Sequence, residues 1–201
     1  PEAFFGGWRI QDAVAAAGGE LLVVGIDNTP ARMDEYAHTS DRIDGALMGG
    51  KGDAYAALVH ADLRPHVESV YGSTGVDGVL GSSMGGLISL YVAHRYPDDW
   101  DFAGAMSGTL GWGRYGLDNP AMVELYTEAG HRGFVVYVES GGSDGGDGCI
   151  DGDADGLPED DANATDNYCV VRHFADTLAA EGYTWDEDLF HWHEAGALHK
   201  E

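Results

Sequence analysis

Positive charge is scarce in this chain. Ten Lys and Arg residues stand against 35 Asp and Glu among 201, a formal net charge of −25 at pH 7. So acidic a surface repels phosphate backbones and anionic bilayers, which argues against nucleic acid or acidic membranes as partners. It suits a halophilic protein that stays soluble in high salt, a binder of cations, or both. No apolar run reaches the roughly 20 residues that a membrane-spanning helix needs. Cysteine is nearly absent: Cys149 and Cys169 are the only two, and they flank the most acidic stretch. A disulfide between them would close that stretch into a loop and place the protein in an oxidising, secreted or periplasmic compartment. The other reading is two free thiols in a cytosolic protein. A signal peptide is also lacking, and the chain begins at Pro1 rather than Met, as expected of a processed or truncated product.

What the chain has in quantity is glycine, 31 residues, spaced between short apolar runs. Its length suffices for one sizeable core and one domain, 1–201. Residues 11–17 predict a helix ending at Gly18-Gly19. Residues 21–26, Leu-Leu-Val-Val-Gly-Ile, predict a strand buried on both faces. Residues 27–52 read as loop, and 53–71 as a helix that Pro65 kinks or splits. Strands at 77–80, 102–106, 134–138 and 188–192 alternate with helices at 84–96, 121–129 and 170–180. That alternation predicts an α/β class, a mostly parallel sheet with helices on both faces, whose ligands sit beyond the carboxyl ends of the strands.

The stretch around which these elements are arranged is Val79-Leu80-Gly81-Ser82-Ser83-Met84-Gly85-Gly86-Leu87. Gly81-x-Ser83-x-Gly85 fits a nucleophile elbow, a sharp strand-to-helix turn that exposes a serine hydroxyl. Small residues two positions either side avoid collision across a strained turn. Gly141-Gly142-Ser143-Asp144-Gly145 has the same spacing, but a glycine-rich acidic loop follows it instead of a helix.

A serine hydroxyl is a weak nucleophile until a base takes its proton and an acid orients that base. Elbow enzymes supply these in the chain order Ser, Asp or Glu, His. The acid should follow the strand at 134–138: Asp144 is the first choice, with Asp147 and Glu139 as alternatives. The base should follow the last strand, where His199 lies. The N–H of Met84 would face the substrate carbonyl oxygen. Trp112, Tyr115 and Trp192 are candidate walls of the substrate pocket. In a competing reading, His191 and His193 point the same way from a strand and with His199 hold zinc.

The blocks Val24-Gly25-Ile26-Asp27-Asn28, Arg32-x-x-Glu35-Tyr36, Gly81-x-Ser83-Met84-Gly85-Gly86 and His193-Glu194-x-Gly196-Ala197-x-His199-x-Glu201 occur in order along nearly the whole chain. Together they resemble the putative esterase family of α/β-hydrolases, which includes enterochelin, feruloyl, acetylxylan and esterase D-like enzymes. The resemblance implies carboxylic ester hydrolysis through an acyl-enzyme, with Ser83 as nucleophile, Asp144 as acid, His199 as base and the Met84 N–H as an oxyanion donor. Family members usually begin with a strand and a His-Asp-Gly-like loop supplying a second oxyanion N–H, and continue past the histidine with a helix. By that measure the chain is expected to be clipped at both ends.

At about 145–169 the sequence departs from the family with an acidic insertion. Ten acidic residues, Glu139 included, and no Lys or Arg lie from Glu139 to Asn167. Asp151-x-Asp153-x-Asp155-Gly156 matches the start of a calcium loop, where alternate oxygens ligate and glycine allows the turn. The twelfth position is Ala162, not the Glu of an EF-hand. With Cys149 ahead and Asp166-Asn167-Tyr168-Cys169 behind, the stretch resembles a thrombospondin type-three repeat. That resemblance implies Asp151, Asp153, Asp155, the Leu157 carbonyl and Glu159 as ligands of a structural Ca2+, with Asp160 and Asp161 in reserve. Asn163-Ala164-Thr165 is a glycosylation sequon.

The expectation is an extracytoplasmic serine esterase acting on a small-molecule or polysaccharide-linked ester, with no catalytic cofactor. The alternative is a weakly active or inactive hydrolase-like binding module stabilised by calcium.

Overall fold

The computed structural model describes residues 8–18, 21–72, 75–142, 149–151, 154, 156–158 and 167–197. The first helix, α1 (Ile10–Ala17), stops at Gly18, whose φ of 66° is the left-handed conformation that lets its N–H cap the Val14 carbonyl. A short helix α2 (Arg32–Glu35) leads into an antiparallel hairpin, β1 (Ser40–Ile43) and β2 (Ala46–Gly49). Its two-residue turn is Asp44-Gly45, with φ of 48° and 82°. Positive φ at both central residues matches the right-handed twist of a hairpin, and Asp-Gly is among the pairs that tolerate it best. The reading of 27–52 as loop missed this signal.

Residues 52–71 are helical throughout, in three pieces: α3 (Gly52–Leu58), a π-helical turn (Val59–Leu63) and α4 (Arg64–Tyr71). Pro65 sits in the first turn of α4. Proline has no N–H for the preceding turn and its ring crowds the carbonyl four residues back. The wider π turn ahead of it accommodates both, so the helix is neither ended nor split.

The frame is a four-stranded parallel sheet in chain order: β3 (Gly78–Ser82), β4 (Phe102–Met106), β5 (Val135–Gly142) and β6 (Leu189–Ala195). Three helices cross between its strands: α5 (Met84–Arg95), α6 (Met122–Ala129) and α7 (Tyr168–Ala180). Strands added in one direction by right-handed crossovers place their helices on one face. Accordingly α5 touches α6, α6 touches α7, and α5 and α7 cover the sheet. The core lies beneath them, with Leu87, Leu90, Val136, Val138, Phe174 and Leu178 fully buried. Each such side chain contributes roughly 1.5–3 kcal/mol by leaving water. Tyr126 is buried among them, and its hydroxyl donates to the Leu90 carbonyl at 2.9 Å.

The expected buried strand at 21–26 is not one. These residues form no regular element and are exposed, Leu21 at 62% and Val23 at 47%. A strand needs a neighbour for its N–H and C=O groups, and among the described residues the sheet ends at β3.

Six of the cations, Arg9, Lys51, Arg64, Arg95, Arg114 and Arg172, form ion pairs with carboxylates. The great excess of Asp and Glu leaves strong self-repulsion. Melting temperature is therefore expected to rise between about 0.05 M and about 2 M sodium chloride, calcium held constant, as screening shortens the range of that repulsion. A flat or falling curve would show that the acidic surface is already neutralised.

Candidate active site

Ser83 follows β3 directly and caps α5, with φ 54° and ψ −124°. A non-glycine residue holds such a conformation only where its surroundings impose it, at about 1–3 kcal/mol. Here they do. The Ser83 N–H donates to the Met106 carbonyl at 2.9 Å, and the Ser83 carbonyl accepts from Gly86, Leu87 and Thr109 N–H groups at 3.0, 3.1 and 3.3 Å. A Cβ on Gly81 would lie 2.2 Å from the Gly85 carbonyl oxygen. The second glycine of the motif is less constrained: a Cβ on Gly85 meets nothing within 4 Å, whereas one on Gly86 would lie 2.9 Å from Ala105 Cβ. The tightness is thus at Gly81, against the backbone of the turn, and at Gly86, where α5 presses on β4.

The Ser83 hydroxyl is 3.5 Å from that of Thr109 and opens into a cavity of about 440 Å3. Met84 begins α5 beside it, where first-turn N–H groups have no partner inside the helix. Trp112 and Tyr115 line the cavity, together with Arg32 and Met33 of α2 and Arg42 of β1. Trp112 is 1% exposed, and its indole N–H donates to the Thr39 carbonyl at 2.9 Å; it is a fixed wall. Trp192 is elsewhere. It lies in register with Glu139 on the sheet face away from the core, 58% exposed, and is not among the residues around this cavity.

One residue that sequence reasoning passed over builds this wall. Asp41 of β1 has no exposed surface and accepts four backbone N–H groups: Gly113 at 2.7 Å and Tyr115 at 3.0 Å on one oxygen, Gly116 at 3.0 Å and Arg42 at 2.7 Å on the other. It ties the loop carrying Trp112 and Tyr115 to the hairpin carrying Arg42. The Asn119 side chain donating to the Ser40 carbonyl at 2.7 Å adds a second tie. The Asp44-Gly45 turn was the available clue that Asp41 and Arg42 belong to a folded hairpin.

The strand ends where the acid and base are expected lie against each other. The Gly196 N–H donates to the Gly142 carbonyl at 2.8 Å, and a Cβ on Gly141 would lie 2.9 Å from the Ala197 carbonyl oxygen. Asp144 and His199 follow two residues after Gly142 and Ala197; both lie outside the described residues, as do Ser143 and Asp147. Glu139, the other alternative acid, is engaged: its carboxylate accepts the Ser107 N–H at 2.9 Å and steadies the turn after β4.

His191 and His193 share one side of β6, as the strand period requires. Both meet the hydroxyl of the fully buried Ser140, at 2.8 and 3.0 Å. Burial, with Arg172 and His193 nearby, pushes the His191 pKa down to about 4, so it is neutral at pH 7. Among the described residues no group of three or more His, Cys, Asp or Glu is placed to hold a metal. Of the expected calcium ligands, Asp153, Asp155 and Glu159 lie outside the described residues. Asp151 accepts the Gly156 N–H at 3.0 Å, and Leu157 is buried. Cys149 and Cys169 are joined by a disulfide, their Cα atoms 5.5 Å apart.

The sequence model of the putative esterase family matches residues 2–197. The uncharacterized protein YbbA of Bacillus subtilis (strain 168) is 33% identical over 98 residues, 45% of this chain and 38% of YbbA. Among solved structures, an IroE-like serine hydrolase from Shewanella oneidensis superposes with a TM-score of 0.58 at 16% identity, over 86% of this chain and 52% of the other. The enterobactin esterase FES from Shigella flexneri does so with 0.54 at 17% identity, over 86% of this chain and 37% of the other. At such identities the likeness is one of fold. The chain spans 37% to 52% of the length of these proteins.

Proposed function

The chain belongs to the putative esterase family, and we propose that it is a serine-dependent carboxylic ester hydrolase acting through an acyl-enzyme. The observation that carries this reading is Ser83, strained at a strand-to-helix turn with its hydroxyl in the cavity. In the proposed mechanism Ser83 Oγ attacks the ester carbonyl as His199 takes its proton, with Asp144 orienting the imidazole. The Met84 N–H, at the positive end of α5, stabilises the oxyanion. His199 then protonates the departing alcohol, and a water activated by the same histidine releases the acid. The contact between Gly142 and Gly196, shortly before Asp144 and His199 in the chain, favours a meeting of these two residues. The substrate is a small-molecule or polysaccharide-linked ester, and the disulfide fits an extracytoplasmic site of action. Turnover of p-nitrophenyl acetate by the protein and its loss in Ser83→Ala tests the reading. No turnover, or equal turnover by both, would favour a binding module.

The loop after β5 we assign to a structural calcium ion. The Asp151 carboxylate accepts the Gly156 N–H, and Gly156 has φ 89°, the conformation that the glycine of a calcium motif supplies; both support this reading. The proposed ligands are Asp151, Asp153, Asp155, the Leu157 carbonyl and Glu159. The disulfide closes a separation of 20 residues, which on the chain-entropy estimate stabilises by about 3 kcal/mol and limits how far an empty loop opens. EDTA should lower the melting temperature and calcium restore it, while Asp153→Ala with Asp155→Ala should abolish the response. Magnesium should substitute poorly, since it demands stricter octahedral geometry. Identical melting of metal-stripped protein with and without calcium would reduce the loop to a solvated acidic insertion.

A further inference from the structure

Arginine is rare enough here for its placement to be informative. In a chain with 35 carboxylates, a solvent-facing cation would be expected to find one, and among the described residues six of the nine Lys and Arg do. Among the described residues Arg32 and Arg42 are exposed and in no ion pair, and both line the cavity of Ser83.

The two are mounted on elements tied to each other. Arg32 begins α2, and Asp34 two residues on binds the Gly49 N–H of β2 at 3.1 Å and Lys51 Nζ at 2.8 Å. Arg42 is held on β1 by the Asp41 network, and its Nη1 donates to the Gly45 carbonyl at 3.0 Å. That bond engages one of the five N–H donors of a guanidinium. Among the described residues around the cavity Asp44 is the one carboxylate, against two arginines, so the Arg32 and Arg42 part of the lining is net positive in a strongly negative molecule. Met33, Ile43 and Tyr115 add carbon surface to the same cavity.

We propose that Arg32 and Arg42 form an anion-binding subsite beside Ser83, so that the preferred ester carries a carboxylate on its acyl or alcohol side. The inference rests on the ester hydrolase reading and adds to it the substrate class. Guanidinium groups take carboxylates through paired, charge-assisted N–H···O bonds, which are stronger than bonds between neutral groups. The overall charge of −25 repels anions at long range; a local pair of cations is what such a substrate requires.

Two matched pairs of esters test this at about 0.15 M ionic strength, where long-range repulsion is largely screened. The acyl arm compares p-nitrophenyl hydrogen adipate with p-nitrophenyl hexanoate. The alcohol arm compares 4-hexanoyloxybenzoate with phenyl hexanoate. After correction for spontaneous hydrolysis, the anionic member of at least one pair should have the higher kcat/KM by about tenfold or more, the scale of a charge-assisted hydrogen bond. The arm that shows the preference identifies the side bearing the carboxylate. Arg32→Gln with Arg42→Gln should bring that ratio close to one, and Arg9→Gln, whose arginine pairs with Asp12, should keep it. Ratios near one in both arms for the unaltered protein, or a ratio unchanged in the double variant, overturn the proposal. If neutral esters are not turned over either, it is the hydrolase reading that fails. The subsite is then judged by calorimetric binding of adipate: binding lost in the double variant upholds it, and no binding or equal binding overturns it.

Discussion

Replacing Ser83 by alanine is expected to lower kcat for p-nitrophenyl acetate by at least about a thousandfold, because loss of one member of a triad removes the function of all three. The substitution removes a single oxygen and adds no volume at a site already held in shape by the Met106, Gly86, Leu87 and Thr109 bonds to its backbone. Melting temperature should therefore change little, which separates loss of chemistry from loss of fold. A fluorophosphonate probe should label Ser83 in the unaltered protein and give no adduct in the variant. Labelling at Ser143, the serine in the second glycine-rich match, would move the nucleophile from the residue after β3 to the residue after β5 and overturn the assignment. A variant with ordinary turnover would remove the chain from the serine esterases.

The largest effect on stability is expected at Asp41. Asp41→Ala leaves four backbone N–H groups without their acceptor in a fully buried position. At about 1 kcal/mol or more for each orphaned donor, the loss is about 4 kcal/mol or more. For a protein of this size that corresponds to a fall in melting temperature of roughly 10 °C. The loop carrying Trp112 and Tyr115 loses its main tie to the hairpin, so kcat/KM should fall even well below the melting temperature. Asp41→Asn keeps one acceptor oxygen but turns its amide donors toward N–H groups, and should recover only part of the loss. A melting temperature within about 2 °C of the unaltered protein would mean that water takes the place of the carboxylate and that the hairpin is held by other bonds.

The local features of this protein were legible without coordinates. Gly81-x-Ser83-x-Gly85 encodes its turn because the demand for glycine at position 81, against the Gly85 carbonyl, and for a strained serine at 83 arises within five residues. The alternation of apolar runs at 102–106 and 134–138 with helical runs after them likewise encodes the crossovers from which the parallel sheet follows. Cys149 and Cys169 flank a loop short enough for their pairing to be the natural reading.

What tertiary structure alone decided were matters of neighbourhood. The run at 21–26 has every local mark of a buried strand, yet burial and pairing depend on a strand beside it. Trp192 lies after the right residues in sequence, but its register with Glu139 turns it to the sheet face away from the core. Asp41 is an ordinary acidic residue in an acidic chain until the 113–116 backbone closes over it. Arg32 and Arg42, ten positions apart, come to one cavity only because Asp34 and Asp41 tie α2, the hairpin and the Trp112 loop together. Periodicity and glycine spacing act over a few residues and can be read there. Which face a side chain meets, and which charge stays unpaired, is set by contacts between segments dozens of residues apart.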